Sequence, residues 1–261
     1  MSRQEKTRVV VKGIFTMVDV TFVGSGDAFG TGGRFQTCIL LDGSERRVAV
    51  DFGASSLVAL NKMEIPHNSI DVIVLTHLHG DHYGGVPFLL LDAMLGAKRT
   101  TPLVIAGPRG AEKRLAAIGA ALFPGMEAMK PKFDLSFVEM DLMTSNPIGE
   151  ISVTPFPANH TGATNPTTVR VEIGGKIISY TGDGAWTKHM PALGEGADLL
   201  ISECYAYDKS PPFHLNYPDI LEHWDDFGAK RIVLTHMGPA MLAHSDTVPQ
   251  ECAYDGLVIS L

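Results

Sequence analysis

Three histidines and an aspartate stand within six positions of one segment, Thr76-His77-Leu78-His79-Gly80-Asp81-His82-Tyr83-Gly84-Gly85. The segment follows an apolar run at 72–75, which predicts a buried strand. Imidazole nitrogen and carboxylate oxygen suit zinc and similar divalent metals. Because side chains alternate along a strand, His77 and His79 point the same way, and a turn at Gly80 lets Asp81 and His82 face a second metal. A lone histidine is often an ordinary partly buried residue, but this spacing predicts a metal site.

The segment resembles the H-x-H-x-D-H signature of the metallo-β-lactamase superfamily, whose members are αββα hydrolases. The resemblance implies that the remaining ligands each follow a strand. Three residues that follow the β-type runs at 151–156, 176–180 and 231–234 fit these positions: His160, Asp183 and His236. The implied fold belongs to the α/β class. It is a four-layer αββα sandwich with two mixed β-sheets and helices on the outer faces, and it forms a single domain over residues 1–261.

The resemblance also implies two zinc sites with one shared ligand, and manganese or iron(II) would suit a similar site. Carried over residue by residue, one zinc is held by His77, His79 and His160, the second by Asp81, His82 and His236, and Asp183 bridges them. Two metals about 3.5–4 Å apart can hold a hydroxide between them, and zinc lowers the pKa of bound water to about 7. The implied nucleophile is therefore a metal-bridging hydroxide, and Asp81 counts among the catalytic residues.

The segment Tyr180-Thr181-Gly182-Asp183-Gly184 resembles the Y-T-G-D motif of the phosphodiesterase branch that includes ribonuclease Z, the transfer-RNA 3′-endonuclease. Taken alone, Asp183 could equally be a turn residue. The branch implies two further catalytic residues. His214 acts as a general acid or phosphate contact, and Glu203 orients it. The residues that flank these two positions depart from the His-Ser-Thr and His-Glu-Ala-Thr motifs of the branch.

Three candidate substrate-binding residues lie outside these motifs. Ser25 and Arg34 belong to a glycine-rich loop, where glycine lets the backbone approach a ligand closely and arginine could hold an anion. A plain connecting loop explains the same residues equally well. Asn216 is predicted as a substrate contact and also as the N-cap of a helix with Pro218 just inside it.

The composition limits the class of protein. The 261 residues are 45% hydrophobic and 19% charged, which is typical of a well-packed globular enzyme. The net charge of −8 gives no general attraction to polyphosphate, although a local basic patch could be hidden in this total. Three widely spaced cysteines favour a reducing compartment, and no segment resembles a signal peptide or a membrane span. A cytoplasmic protein without membrane association is predicted.

One feature of ribonuclease Z has no counterpart in this sequence. Full-form enzymes carry a Gly/Pro-rich arm between the third-motif histidine and the bridging aspartate. Only 22 residues separate His160 from Asp183, and a predicted hairpin at 168–180 takes more than half of them. The predicted substrate is therefore a small nucleotide-type phosphodiester, and RNA is not favoured.

Several alternatives remain open at this point. They are a ribonuclease Z-type transfer-RNA 3′-processing endonuclease that grips RNA with another surface, a lactone or other ester hydrolase, and a metal-bound binding module without turnover. A homodimer is a further expectation, because dimers are common in the branch that the sequence resembles.

Overall fold

The apolar runs of the sequence form two mixed β-sheets in the computed structural model, which describes residues 17–43, 46–209 and 211–261. The strands, numbered in chain order, are β1 (Asp19–Gly24), β2 (Cys38–Gly43), β3 (Arg46–Val50), β4 (Val72–Val74), β5 (Leu103–Gly107), β6 (Leu135–Glu139), β7 (Asn146–Ile148), β8 (Ile151–Pro157), β9 (Thr167–Ile173), β10 (Lys176–Tyr180), β11 (Leu199–Glu203), β12 (Ile232–Thr235), β13 (Glu251–Cys252) and β14 (Val258–Ser260).

Each sheet has an antiparallel half and a parallel half. The first sheet has the order β14-β1-β2-β3-β4-β5-β6 and is parallel from β3 to β6. The second has the order β13-β12-β11-β10-β9-β8-β7 and is parallel from β10 to β13. Parallel strands end at the same edge of a sheet, so residues that follow β4, β10, β11 and β12 can meet at one edge of the sandwich.

The helices cover the outer faces of the sheets. They are α1 (Ser56–Lys62), α2 (Gly80–Tyr83), α3 (Val86–Leu95), α4 (Ala111–Leu122), α5 (Met190–Gly194), α6 (Tyr217–Glu222) and α7 (Pro239–Leu242). One buried cluster fills the space between the sheets with side chains such as Val50, Val74 and Ile178. A second joins the first sheet to α1, α3 and α4, and a third joins the second sheet to α5, α6 and α7. The predicted αββα sandwich is confirmed.

The sequence predicts that residues 88–91 and Met94 form the core face of α3, and the structure confirms this only in part. Leu89 and Leu90 are buried and Met94 packs partly buried against the core, but Phe88 is exposed, and Val86 and Ala93 are also buried. Because this helix is apolar almost all round, its sequence contains little information about which side faces the core.

The sequence predicts that the helix after Asn216 ends at Gly228, with Ile220, Trp224 and Phe227 on its apolar face. In the structure the helix already ends at Glu222, and Phe227 belongs to a separate short turn that closes at Gly228, where φ is +63°. The edge strands β7, β13 and β14 are too short for the alternation of apolar and polar side chains to predict them.

Two predictions lie outside the described residues. They are a frayed segment or edge strand at 1–16 and a hairpin turn that includes Ser44.

The structure also bears on membrane spans and on the cysteines. Within the described residues, no helix is long and apolar enough to cross a membrane. Cys38, Cys204 and Cys252 are all unpaired, and burial raises the pKa of the Cys38 thiol to about 12. Burial also raises the pKa of the Cys204 thiol, which makes it a poor nucleophile.

Candidate metal centre

The structure brings all seven predicted metal ligands to one edge of the sandwich. His77 and His79 follow β4, and Asp81 and His82 lie on α2. The other three follow strands of the second sheet, His160 after β8, Asp183 after β10 and His236 after β12. All except the half-buried His79 are buried.

His236 lies in the left-handed region of the backbone, with φ at +55°. A non-glycine residue rarely adopts this conformation unless its surroundings impose it. Here the backbone N–H of His236 donates to the carbonyl of Ser25, at 3.1 Å, which holds the ring over the cluster.

Three imidazoles form the first group. His79 Nδ1 lies 3.1 Å from His77 Nε2 and 3.0 Å from His160 Nε2. Three ring nitrogens that converge in this way could hold one divalent cation.

Two carboxylates and two imidazoles form the second group. Asp81 Oδ2 lies 3.3 Å from His82 Nε2 and 3.2 Å from His236 Nε2. The Asp183 carboxylate lies 3.2 Å from His82 Nε2 and 3.5 Å from His236 Nε2, and it also lies 4.0 Å from His77 Nε2 in the first group. Asp183 therefore stands between the two groups.

Neighbouring polar groups fix which nitrogen faces the cluster in three of the rings, those of His82, His160 and His77. His82 Nδ1 pairs with Asp51 Oδ2 at 2.7 Å, and His160 Nδ1 donates to the carbonyl of Phe213 at 2.9 Å. The Thr76 hydroxyl donates its hydrogen to Asp51, so it accepts from His77 Nδ1 at 3.1 Å. In each ring Nε2 is left free to face the cluster, the arrangement usual for histidines that bind metal.

The cluster fits a divalent metal on chemical grounds. His82 Nε2 and Asp183 Oδ1 are buried and lie 3.2 Å apart, but neither makes a well-aligned hydrogen bond within the described residues, which is costly unless another group satisfies them. Burial, and then repulsion by His82, holds the pKa of His77 well below its ordinary value, so this ring is neutral. Burial would raise the pKa of Asp183, but His236 and His82 outweigh it and lower that pKa, so the carboxylate is ionised. Neutral imidazole and ionised carboxylate are the forms that bind metal. Burial alone would lower the pKa values of His82 and His236, but the neighbouring carboxylates raise both, so a bound metal would have to replace a proton on these two rings.

Asp51 is a functional candidate that the sequence analysis did not identify. Its fully buried carboxylate accepts hydrogen bonds from the Thr76 backbone N–H and hydroxyl, at 2.7 and 2.8 Å, and pairs with His82. It thereby orients two ligand-bearing segments. The available signal was an acidic residue directly after the buried strand β3, whose neighbour β4 carries the histidine motif.

Glu203 and His214 lie together beside the cluster. The fully buried Glu203 pairs with His214 Nδ1 through Oε1, and its Oε2 accepts from the backbone N–H groups of Gly184 and Leu215, each at 3.1 Å. The His214 ring meets the His160 ring edge-on, with centroids 5.0 Å apart. Burial alone would lower the pKa of His214, but the hydrogen bond and charge of Glu203 raise it. His214 therefore retains a proton readily next to the cluster.

The three predicted substrate contacts have structural partners. Ser25 is fully buried, and its hydroxyl donates to Asp255 at 2.8 Å. Arg34 Nη1 donates to the carbonyl of Ala253 at 2.7 Å, and the Asn216 side chain accepts from the backbone N–H of Asp219 at 3.0 Å as a helix cap. None of the three lines the cleft described next, and a substrate role for them stays a prediction.

A cleft of about 410 Å³ opens over the cluster. It is lined by predicted ligands together with His214, Tyr205 and Phe29. A second cavity of about 370 Å³ is lined by Leu78 of the histidine motif together with Arg109, Lys113 and Arg114. A local basic patch therefore does exist within the overall acidic composition.

A sequence model described as the beta-lactamase superfamily domain matches residues 39–237. The chain therefore belongs to the metallo-β-lactamase superfamily of hydrolases, which includes ribonuclease Z.

Two similar curated proteins are ribonucleases Z. That of Lachnoclostridium phytofermentans is 29% identical over 62% of this chain, and the match spans about half, 51%, of the relative's own length. That of Agathobacter rectalis is 21% identical, and the match covers 90% of this chain and 92% of the relative. The second alignment has 286 positions and this chain has 261 residues, so the relative contains residues that this chain lacks.

Solved structures share the fold. The metallo-beta-lactamase fold protein YhfI of Bacillus subtilis superposes with a TM-score of 0.76 at 22% identity, covering 94% of this chain and all of that one. The short form of human tRNase Z gives a TM-score of 0.73 at 24% identity, covering 92% of this chain and 98% of that one.

Proposed function

We propose that this protein is a phosphodiesterase that uses two zinc ions and acts on a small nucleotide-type diester. The observation that carries this proposal is the position of Asp183, whose carboxylate approaches His77 in one group and His82 and His236 in the other. A carboxylate placed between two ligand groups suits a pair of metals, and paired metals are typical of enzymes that displace an oxygen at phosphorus.

In this proposal the first metal is held by His77, His79 and His160, the second by Asp81, His82 and His236, and Asp183 is shared. Bound there, the metals would supply Lewis acidity, which makes water nucleophilic at neutral pH and neutralises charge on the phosphoryl oxygens. Asp51 orients the His82 ring from behind, and the Phe213 carbonyl orients that of His160.

His214 is the proposed proton donor to the leaving oxygen. It lines the cleft, Glu203 keeps its Nδ1 occupied and its charged form favoured, and its other nitrogen is left for the substrate. Glu203 is itself held by two backbone N–H groups, so the pair is rigid before substrate arrives.

The chain between His160 and Asp183 favours a small substrate. A short turn at 162–164, β9 and β10 take up this interval, which leaves no segment that could extend as an arm. A folded RNA needs contacts far from the scissile bond, because remote binding energy positions the reacting atoms.

A ribonuclease Z activity is the second candidate, and two observations favour it. The similar curated proteins bear this name. The cavity next to the histidine motif also presents Arg109, Lys113 and Arg114, which could neutralise phosphates of an RNA chain.

We expect the protein reconstituted with zinc to hydrolyse bis(p-nitrophenyl) phosphate and to process precursor transfer RNA poorly. Hydrolysis at the cluster needs only an accessible phosphorus, whereas a folded RNA also needs binding contacts far from the scissile bond. The measurement is kcat/KM for both substrates at one ionic strength, with a phosphomonoester and a lactone assayed in parallel. Efficient and accurate 3′ cleavage of precursor transfer RNA would contradict the small-substrate proposal and favour the second candidate. Preference for the lactone would contradict both.

We also expect two metal ions per chain after gentle purification and zinc supplementation, because both groups offer complete ligand sets. Elemental analysis measures the stoichiometry, and supplementation with manganese or iron(II) compares the alternative metals. A stoichiometry of one or none that added zinc does not change is the outcome that the dinuclear proposal does not allow.

A further inference from the structure

We propose that Phe29 is a specificity-determining residue that stacks against a planar heteroaromatic ring of the substrate, a nucleobase, at the mouth of the cleft. The inference rests on the proposed function for the position of the phosphate and for the nucleotide class of the substrate, and it adds the residue that binds the base.

Phe29 is the most water-exposed of the large hydrophobic side chains in the described residues. Its side chain is 82% exposed, compared with 70% for Met17, the next highest. A single exposed apolar residue needs no explanation in general. Phe29, however, lines the cleft over the metal cluster, together with His214 and Tyr205.

The loop that carries Phe29 is held firmly by a buried carboxylate. Asp27 is fully buried and accepts from the backbone N–H of Phe29 at 3.2 Å and of Thr31 at 2.9 Å, and from the Thr31 hydroxyl at 2.7 Å. The Gln36 side-chain amide donates to the carbonyl of Ala28 at 3.0 Å. These contacts set the backbone on both sides of Phe29, so the ring is displayed at the cleft before any ligand binds.

Contacts elsewhere keep the loop in place. Gly32 packs so closely against Leu242 of α7 that a Cβ atom there would lie 2.5 Å from the Leu242 Cδ2 atom. A preorganised aromatic side chain binds at a lower entropic cost than one that must be ordered by its ligand. The loop therefore has the properties of a fixed binding platform.

The shape of the site selects the kind of group that Phe29 can bind. The other aromatic side chain of the cleft, Tyr205, already packs against the His214 ring, with centroids 4.9 Å apart. An alkyl chain gains most from a pocket that encloses it, whereas a flat ring gains from a single exposed face. Stacking on aromatic side chains is the usual way in which proteins bind unpaired bases irrespective of their sequence.

The test compares two diesters with the same leaving group. Thymidine 5′-(p-nitrophenyl) phosphate carries a nucleobase, and methyl p-nitrophenyl phosphate does not. For Phe29→Ala we expect KM for the thymidine ester to rise about 5- to 100-fold, the factor expected for the loss of one base–aromatic stack, with kcat within about twofold. KM for the methyl ester should stay unchanged, and Phe29→Tyr should restore the wild-type KM for the thymidine ester.

Phe88→Ala serves as the matched control, since Phe88 is another exposed phenylalanine and does not line the cleft. The proposal is overturned if Phe29→Ala leaves KM for the thymidine ester unchanged or raises KM for both esters equally. Calorimetric binding of thymidine 5′-phosphate, compared with inorganic phosphate, tests Phe29 without turnover. If wild-type protein hydrolyses neither ester, the proposed function fails, whereas a loss of nucleotide affinity in Phe29→Ala would still support the stacking role.

Discussion

Replacing Asp183 with alanine is expected to lower kcat/KM on a phosphodiester by about 10³-fold or more and to reduce the bound metal. The carboxylate lies between the two ligand groups, within 4.0 Å of His77 and 3.2 Å of His82, so its loss weakens both metal positions together. A metal contributes several kcal/mol of charge stabilisation to a phosphoryl transition state, and each 1.36 kcal/mol is a tenfold change in rate. Elemental analysis and steady-state kinetics of the same preparations provide the measurement.

Asp198→Ala is the matched control for this variant. Asp198 also lies next to a strand of the second sheet, β11, but it pairs with Lys230 and with the backbone N–H of Ile177, away from the cluster. It should keep its metal and its rate. If Asp183→Ala retained two metals and a normal rate, Asp183 would not bridge the groups and the ligand assignment would have to be revised.

The second large effect is expected for His214→Ala, and it should depend on the leaving group. Proton delivery by a positioned side chain contributes about 10²–10⁴-fold to rate. A sugar alkoxide needs that proton, so hydrolysis of a dinucleoside monophosphate should slow by this factor. A p-nitrophenolate leaves without a proton, so hydrolysis of bis(p-nitrophenyl) phosphate should change by less than about tenfold. The measurement is kcat of wild type and His214→Ala on both substrates, and the difference between the two losses gives the contribution of proton donation by His214.

His67→Ala provides a control with the same chemistry. Its Nδ1 lies 2.8 Å from the Asp92 carboxylate, an imidazole–carboxylate pair like that of His214 and Glu203 but outside the cleft. It should leave both rates unchanged. An equal loss on both substrates in His214→Ala would exclude the proton-donor role and favour a phosphate contact. Unchanged metal content would show that the effect does not arise from the neighbouring His160.

The expected difference between these variants follows from what each side chain touches. Asp183 is buried within the cluster, whereas His214 lies at its margin and reaches the cleft. Loss of the first is therefore expected to affect every substrate, and loss of the second only substrates with a basic leaving group.

The sequence alone was sufficient to predict the fold class and the residue types of the centre. A buried strand has little place for a charged group along its length, so an imidazole or carboxylate just after an apolar run is a strong local signal. His77 was recognisable for this reason. The resemblance to the metallo-β-lactamase superfamily then implied the fold, identified His160, Asp183 and His236 as the remaining ligands, and assigned the seven residues to two ligand sets.

Where the sequence failed, the deciding contacts join positions far apart in the chain. Phe88 was misplaced because an almost wholly apolar helix does not specify its inner face, which is chosen by packing against the sheet. The sequence also could not show that Ser25 and Arg34 hydrogen-bond to Asp255 and Ala253, which lie more than two hundred residues later in the chain.

The tertiary structure also decided which residues serve the centre. Asp51 gains its role because β3 lies beside β4, which brings its carboxylate to Thr76 and His82. Phe29 gains its position because a buried carboxylate turns the loop toward the cleft. Local patterns determine which groups stand at strand ends, but only strand pairing and the packing of the two sheets determine which strand ends meet.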